Sequence, residues 1–330
     1  MQLKDKKILV TGAGGFIGSH LVEELVKKGV KVKALVRYNS RNDWGKLEEL
    51  QDDILSEVEV ISGDIRDAYF CQRIAKNIDL IFHLAAAIAI PFSYIAPSHY
   101  VETNIIGTLN ILESALKNNI QKVIHTSTSE VYGSAKYTPI DENHPLSGQS
   151  PYSATKIAAD KLAESYYCSF SLPIATIRPF NTFGPRQSAR AIIPSIIAQI
   201  LLNPKKINIG STHPVRDFTY VKDTVDGFIK VAESHKTIGT VTNIGTGIGV
   251  SVEELFHTIC KLMDKKVKFS KDIKRIRPAK SEVELLICSN KKAKQLLNWG
   301  PKFSLEKGLI ETIKYIEKNI NKYKSDIYNI

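Results

Sequence analysis

The sequence predicts an α/β protein, a doubly wound parallel sheet flanked by helices, with a smaller C-terminal lobe. Three observations predict it. Short β-rich runs alternate with amphipathic stretches of helical length, a glycine-rich turn joins the first run to the first helix, and the rhythm changes after Pro185. Alternation of this length implies parallel strands joined by right-handed crossovers, with helices on both faces.

Strands are expected at KILVT from Lys7, VKVKALV from Val30, VEVIS from Val58, LIFHLA from Leu80, KVIHTS from Lys122 and PIATIR from Pro173, each apolar and of strand length. Helices are expected over residues 19–28, 100–118 and 152–170. The stretch 80–101 holds no Asp, Glu, Lys or Arg, but Pro91, Pro97, His83 and His99 interrupt it. It reads as a buried strand and then a loop, not a membrane span. Beyond Pro185 a helix-like AIIPSIIAQILL precedes short strands, turns at Gly245, Gly247 and Gly249, and a basic helical C-terminus. The expected division is a sheet domain over 1–185 and a lobe over 186–330, some of whose segments return to the sheet.

With 330 residues, 43% apolar and 24% charged, the chain is long enough for two ordinary domains and excludes disorder or a small disulfide scaffold. Cys71, Cys168, Cys260 and Cys288 lie far apart without paired metal-ligand spacing, so reduced, mostly buried thiols and no metal are expected. The N-terminus runs from lysines straight into a strand without a signal-peptide core, and a cytoplasmic location is expected. Of the net charge of +11, residues 256–330 carry +10. No nucleic-acid module accompanies this charge, so it reads as a solvated lysine-rich face, with neither nucleic acid nor membrane as partner.

Directly after the first strand, TGAGGFIG sets Gly12, Gly15 and Gly18 three apart at the opening of a helix. Such glycines allow a tight turn and let a pyrophosphate approach backbone N–H groups at the helix N-terminus, so residues 1–185 read as a dinucleotide-binding Rossmann domain. At the end of the second strand an acid would take the ribose hydroxyls of NAD, and a cation the 2′-phosphate of NADP. No Asp or Glu occurs between Glu24 and Asp43; ALVRYNSR offers Arg37, Asn39, Ser40 and Arg41 instead, which favours NADP over NAD. Asp64, after the third strand, is placed for the adenine amino group. In PYSATK, Tyr152 and Lys156 are four apart and share a helix face. A nearby ammonium and a cationic nicotinamide lower a phenol's pKa and make it a usable base, and HTSTSEVYG supplies hydroxyls after an earlier strand.

TGAGGFIG, HLAA from His83, the hydroxyl-rich strand end and the Tyr152/Lys156 pair resemble the extended short-chain dehydrogenase/reductase family over nearly the whole chain. TSTSEVYG is similar to nucleotide-sugar 4,6-dehydratases, which carry Thr, Asp or Ser, and Glu in succession: here Thr128, Ser129 and Glu130. Family epimerases lack that glutamate; UDP-glucuronate decarboxylases share the triplet. HPLSGQSPYSATK, RPFNTFGPRQSARAIIP and AAAIAIPFSYIAPSHYVETN resemble the N-acetylglucosamine nucleotide 4,6-dehydratases of the legionaminic acid pathway. RPAKSEVELL resembles a stretch of GDP-mannose 4,6-dehydratases, which leans toward GDP over UDP.

The resemblance implies a tightly bound, recycled NAD(P) contacted by Gly12, Gly15, Phe16, Ile17, Gly18, Arg37, Asn39, Ser40, Asp64, Ile65, Leu84, Ala85, Ala86, Tyr152 and Lys156. It implies a nucleotide-diphosphate N-acetylhexosamine held by Ser93, Thr128, Asn181, Arg216 and Arg277. The catalytic set implied is Thr128, Ser129, Glu130, Tyr152 and Lys156: Tyr152 as base at the carbon 4 hydroxyl, Glu130 as base at carbon 5, and either Glu130 or Ser129 passing a proton to the leaving oxygen. It also implies a homodimer through helices 100–118 and 152–170. A different reading, a protein that senses a dinucleotide or RNA without catalysis, has no use for Thr128, Tyr152 and Lys156 together.

Overall fold

The computed structural model describes residues 1–324; residues 325–330, the end of the expected C-terminal lobe, lie outside them. In chain order the strands are β1 Lys7–Thr11, β2 Lys31–Arg37, β3 Val58–Gly63, β4 Leu80–His83, β5 Lys122–Thr126, β6 Ile174–Pro179, β7 Asn181–Phe183, β8 Lys206–Ile209, β9 Val215–Tyr220, β10 Val241–Ile244, β11 Gly249–Ser251, β12 Lys268–Lys271 and β13 Leu285–Leu286. The helices are α1 Phe16–Lys27, α2 Asp52–Leu55, α3 Ala68–Ile74, α4 Ile90–Ile95, α5 Pro97–Tyr100, α6 Gly107–Lys117, α7 Pro151–Phe170, α8 Ile192–Leu202, α9 Val221–Glu233, α10 Val252–Leu262, α11 Lys291–Leu297 and α12 Leu305–Lys318.

Seven strands form one parallel sheet in the order β10-β6-β5-β4-β1-β2-β3. Strand side chains alternate between its faces. Ile8, Val10, Phe82 and Ile124 join the core layer under α1, α8 and α9, while Leu9, Ile81 and Val123 join the layer under α3, α6 and α7. The six strands expected from the sequence are all present. The seventh, β10, comes from beyond residue 186 and pairs with β6 from Val241↔Thr176 to Ile244↔Pro179. Lys122 fastens this return: its buried ammonium donates to the carbonyls of Val231 and Ser234 and to Thr237 Oγ1 at 2.5–2.9 Å, capping the end of α9. A second, small sheet has β11, β13 and β7 paired with β9, and β8 pairs with β12.

Two expectations need correction. The loop expected after β4 contains α4 and α5, whose Pro91 and Pro97 stand in the first turn, where a helix needs no N–H. The first helix begins at Phe16, immediately after the last exposed glycine of the turn. The helix expected over 100–118 is present: α5 runs on through a π-helical segment, Val101–Ile106, straight into α6. Of the four cysteines, Cys71, Cys260 and Cys288 are buried, in keeping with the expectation, and Cys168 is exposed on α7.

Candidate active site

The turn after β1 is shaped by what its glycines leave out. Gly12 has φ +70°, and a Cβ there would stand 2.7 Å from the Ala85 nitrogen; one on Gly18 would stand 2.3 Å from the Gly12 carbonyl. Gly15 caps α1 without a side chain, and the first turn of the helix holds no acidic residue. Its N–H groups and dipole therefore face the turn, where an anion is stabilised. Thr11 locks the opposite wall: its Oγ1 accepts the N–H groups of Leu84 and Ala85, both at 3.1 Å, and bonds His83 Nδ1 at 2.9 Å. With two donors on that oxygen, the Thr11 hydroxyl must donate to His83, whose Nε2 then donates to Thr108 at 3.0 Å. Burial holds His83 neutral, well below its ordinary pKa. This cradle fits a dinucleotide pyrophosphate, with Gly12, Gly15, Phe16, Ile17 and Gly18 on one side and Leu84, Ala85 and Ala86 on the other.

Other expected cofactor contacts lie differently. Arg37 and Ser40 are exposed at the end of β2, but Asn39 is turned inward. Its Oδ1 accepts the N–H groups of Arg41 and Asp43 and its Nδ2 donates to the Asp43 carbonyl at 2.8 Å, so Asn39 shapes the loop and is not a free donor. Asp64 is held by Arg66, 2.7 Å from Nη2, which keeps its carboxyl below the usual range. The cap of α3 is Asp67. The Ile65 side chain belongs to the core, and its carbonyl accepts from Asn110 Nδ2 at 2.9 Å.

Beyond β5 the chain makes a short turn, Ser129–Tyr132, with Thr128 as its cap. Opposite it, Ser150 and Ser153 cap each other across Pro151 and fix the start of α7, placing Tyr152 in the first turn and Lys156 one turn on. Tyr152 is buried, with Tyr100 edge-on at 6.3 Å. Burial raises its phenol pKa, a hydrogen bond with the Thr128 side chain works the other way, and the Glu130 charge raises it again. The Lys156 ammonium donates to the Thr126 carbonyl at 2.7 Å, and burial pulls its pKa down to about 8 against the charge of Asp160. Thr128, Glu130, Tyr152 and Lys156 thus converge at the C-terminal ends of β5 and its neighbours, where ligands of open parallel sheets bind. Ser129 lies buried beside them.

A second group gathers on the far side. Asn181, on β7, has a buried Oδ1 without a hydrogen-bond partner among the described residues. Arg216, on β9, is buried and its Nη2 lies 3.2 Å from Glu282, which also stands 3.6 Å from Arg277. Burial and Arg277 lower the Arg216 pKa, while Glu130 and Glu282 support its charge. Two arginines converging on one carboxylate suit an anionic ligand, and the orphaned Asn181 oxygen calls for a hydrogen-bond donor. Ser93 is the exception among the expected sugar contacts. It is fully buried, its hydroxyl donating to the Ile90 carbonyl at 2.7 Å inside α4, because the segment forms a helix instead of a loop.

Sequence reasoning missed several members. Glu282 stands five positions after Arg277 in the segment already singled out. Asn104, in the π-helical segment, binds both backbone groups of Ala87 and donates to Thr155 Oγ1 at 3.0 Å, joining the loop after β4 to α7; no local pattern marks it. Tyr94 and Ser281, 2.6 Å apart, tie α4 to the Arg277 segment, with Ser281 donating on to the Gln149 carbonyl.

Fold and site together define an NAD(P)-type short-chain dehydrogenase fold adapted to nucleotide sugars. The chain belongs to the GDP-mannose 4,6 dehydratase family, whose model matches residues 9–312. It is 32% identical to a UDP-glucose 4-epimerase of Mycolicibacterium smegmatis, over 94% of this chain and 98% of that one. It is 28% identical to the human dTDP-D-glucose 4,6-dehydratase, over 97% and 92%. A dTDP-glucose 4,6-dehydratase structure from Streptomyces venezuelae, with NAD bound, superposes with a TM-score of 0.85 at 27% identity, covering 96% of this chain and 99% of that one. Among the described residues no helix is long and apolar enough to cross a membrane.

Proposed function

We propose that the protein is a nucleotide-sugar 4,6-dehydratase, converting an NDP-N-acetylglucosamine, GDP-linked in preference to UDP-linked, to its 4-keto-6-deoxy product for nonulosonic (legionaminic) acid and surface-glycan synthesis. The observation that carries the reading is Glu130, two residues after Thr128 and close enough to Tyr152 for its charge to raise the phenol's pKa. Proton removal at carbon 5 requires a base at that place, and an epimerase has no use for one.

When bound, NAD(P) supplies hydride transfer, accepting the carbon 4 hydride and returning it at carbon 6. Tyr152 takes the proton of the carbon 4 hydroxyl, and Thr128 hydrogen-bonds the same oxygen. Lys156 places a positive charge at the base of this pair and favours the phenolate. Once carbon 4 is a ketone, Glu130 removes the acidified carbon 5 proton. A proton reaches the carbon 6 oxygen from Glu130 itself or through Ser129, and water leaves. Asn181, Arg216 and Arg277 hold the diphosphate. An exposed Arg37 at the end of β2, close enough for its charge to act on Asp64, supports NADP over NAD, although the Streptomyces neighbour carries NAD. Val101, Ile106, Tyr167 and Phe170 expose apolar surface on the two expected interface helices, which supports a homodimer.

The test is to incubate purified protein with GDP-GlcNAc and UDP-GlcNAc separately. A product lighter by one water supports the dehydratase. An isomer of unchanged mass would make it an epimerase, and carbon dioxide release from UDP-glucuronate a decarboxylase.

A further inference from the structure

Behind the candidate catalytic groups lies a buried polar network that none of the steps above uses. Asp160, one turn beyond Lys156 on α7, is only 5% exposed, and Arg178 on β6 only 3%. Asp160 Oδ2 accepts from Arg178 Nη2 at 2.9 Å and Nε at 3.2 Å, and from Ser127 Oγ at 2.7 Å; Oδ1 accepts from His125 Nε2 at 3.0 Å. The remaining side of the guanidinium goes to Tyr132, with Nη1 donating to the phenolic oxygen at 2.9 Å, and Tyr132 in turn donates to Asn243 Oδ1 at 2.8 Å.

The placement of these contacts is specific. β5 ends at Thr126, and past the Ser127 N–H bond to the Ile177 carbonyl the chain leaves the sheet ladder. Ser127 immediately precedes Thr128, and Tyr132 is the last residue of the turn that carries Ser129 and Glu130. One ion pair therefore grips both ends of the segment holding Thr128, Ser129 and Glu130, while Asp160 sits on the same helix as Tyr152 and Lys156. We propose that the Asp160–Arg178 pair is a positioning element, setting the distance between the Thr128–Glu130 segment and the Tyr152/Lys156 helix face through Ser127 and Tyr132.

Two physical arguments support this. Desolvating an aspartate and an arginine is costly, and an apolar pair of similar volume serves stability as well or better. The steps assigned to Tyr152 and Glu130 act on neighbouring carbons of one sugar, and misplacement by about 1 Å costs up to roughly 100-fold in rate. The proposal rests on the reading of Thr128, Glu130 and Tyr152 as catalytic, and its test separates the two.

Asp160→Asn would strand a buried guanidinium and endanger folding, so the test cuts the tether at its ends. Ser127→Ala and Tyr132→Phe each remove one hydroxyl and nothing else. They are assayed beside Tyr152→Phe, with single-turnover reduction of bound cofactor followed by absorbance on whichever of GDP-GlcNAc, UDP-GlcNAc and UDP-glucose the wild-type protein turns over. Each end variant is expected to lower kcat and the single-turnover rate about tenfold, with KM within threefold, and the double variant to lose about the product of the two. A fall in melting temperature with kcat unchanged, or an effect confined to KM, would overturn the proposal. Full activity in Tyr152→Phe would overturn the catalytic reading instead.

Discussion

Around Gly12 the candidate cofactor side is made of backbone. The cradle is defined by absent Cβ atoms, by a start of α1 that no side chain caps and by the Leu84 and Ala85 N–H groups held on Thr11. Around Arg216 the candidate substrate side is made of charged side chains from segments far apart in the chain, balanced by Glu282 and within reach of the Glu130 charge. A backbone cradle suits a ligand that stays bound, since it is preorganised and insensitive to titration. A cluster of side-chain charges, already paired before substrate arrives, can release a product as well as hold a substrate. The candidate catalytic residues lie on the seam between the two.

The largest expected effect is on that seam. Tyr152→Phe should abolish oxidation at carbon 4, by at least about 1,000-fold, while nucleotide-sugar affinity stays within a few-fold, because the lost hydroxyl acts mainly in the transition state. Near-normal reduction of bound cofactor in that variant would send the search for the base elsewhere. Glu130→Gln should separate the half-reactions: cofactor reduction persists, while water loss and solvent-deuterium incorporation at carbon 5 slow by about 100- to 10,000-fold. Normal deuterium incorporation with blocked water loss would recast Glu130 as the acid.

The pH dependence is expected to follow Lys156. Burial places its pKa at about 8, below that of a free lysine, so it is protonated below that pH and loses its charge as pH rises through it. Turnover should therefore fall about tenfold per unit above pH 8, and Lys156→Arg, which cannot titrate there, should remove this alkaline limb whatever its absolute rate. An identical limb in the arginine variant would assign it to another group.

The contrast between the two sides is sharpened by smaller changes. Glu282→Gln removes the carboxylate between Arg216 and Arg277 and should tighten nucleoside-diphosphate binding about three- to tenfold by calorimetry at low salt, with a steeper salt dependence. Weakened binding would make Glu282 the scaffold of the arginines and not their competitor. Arg37→Asp should shift the NADP/NAD affinity ratio toward NAD by several-fold, since it sets negative charge beside a 2′-phosphate. An unchanged ratio removes Arg37 from the adenosine site.

The sequence by itself determined everything carried by local spacing. Alternating runs specify the six strands before residue 180, because hydrophobic period and chain direction are local properties. Three glycines on one turn specify a cradle, and Tyr152 and Lys156 share a face because a helix returns every 3.6 residues. Only the tertiary structure decided where distant segments meet. It brought β10 into the sheet from beyond residue 240, built α4 where two prolines read as a loop, and so buried Ser93. It placed Glu282 between two arginines, and closed Asp160, Arg178, Ser127 and Tyr132 into one network. None of these pairings leaves a periodic trace. A buried charge is tolerated only where its partner happens to arrive, and that partner is chosen by the packing of the whole chain, not by its neighbours in sequence.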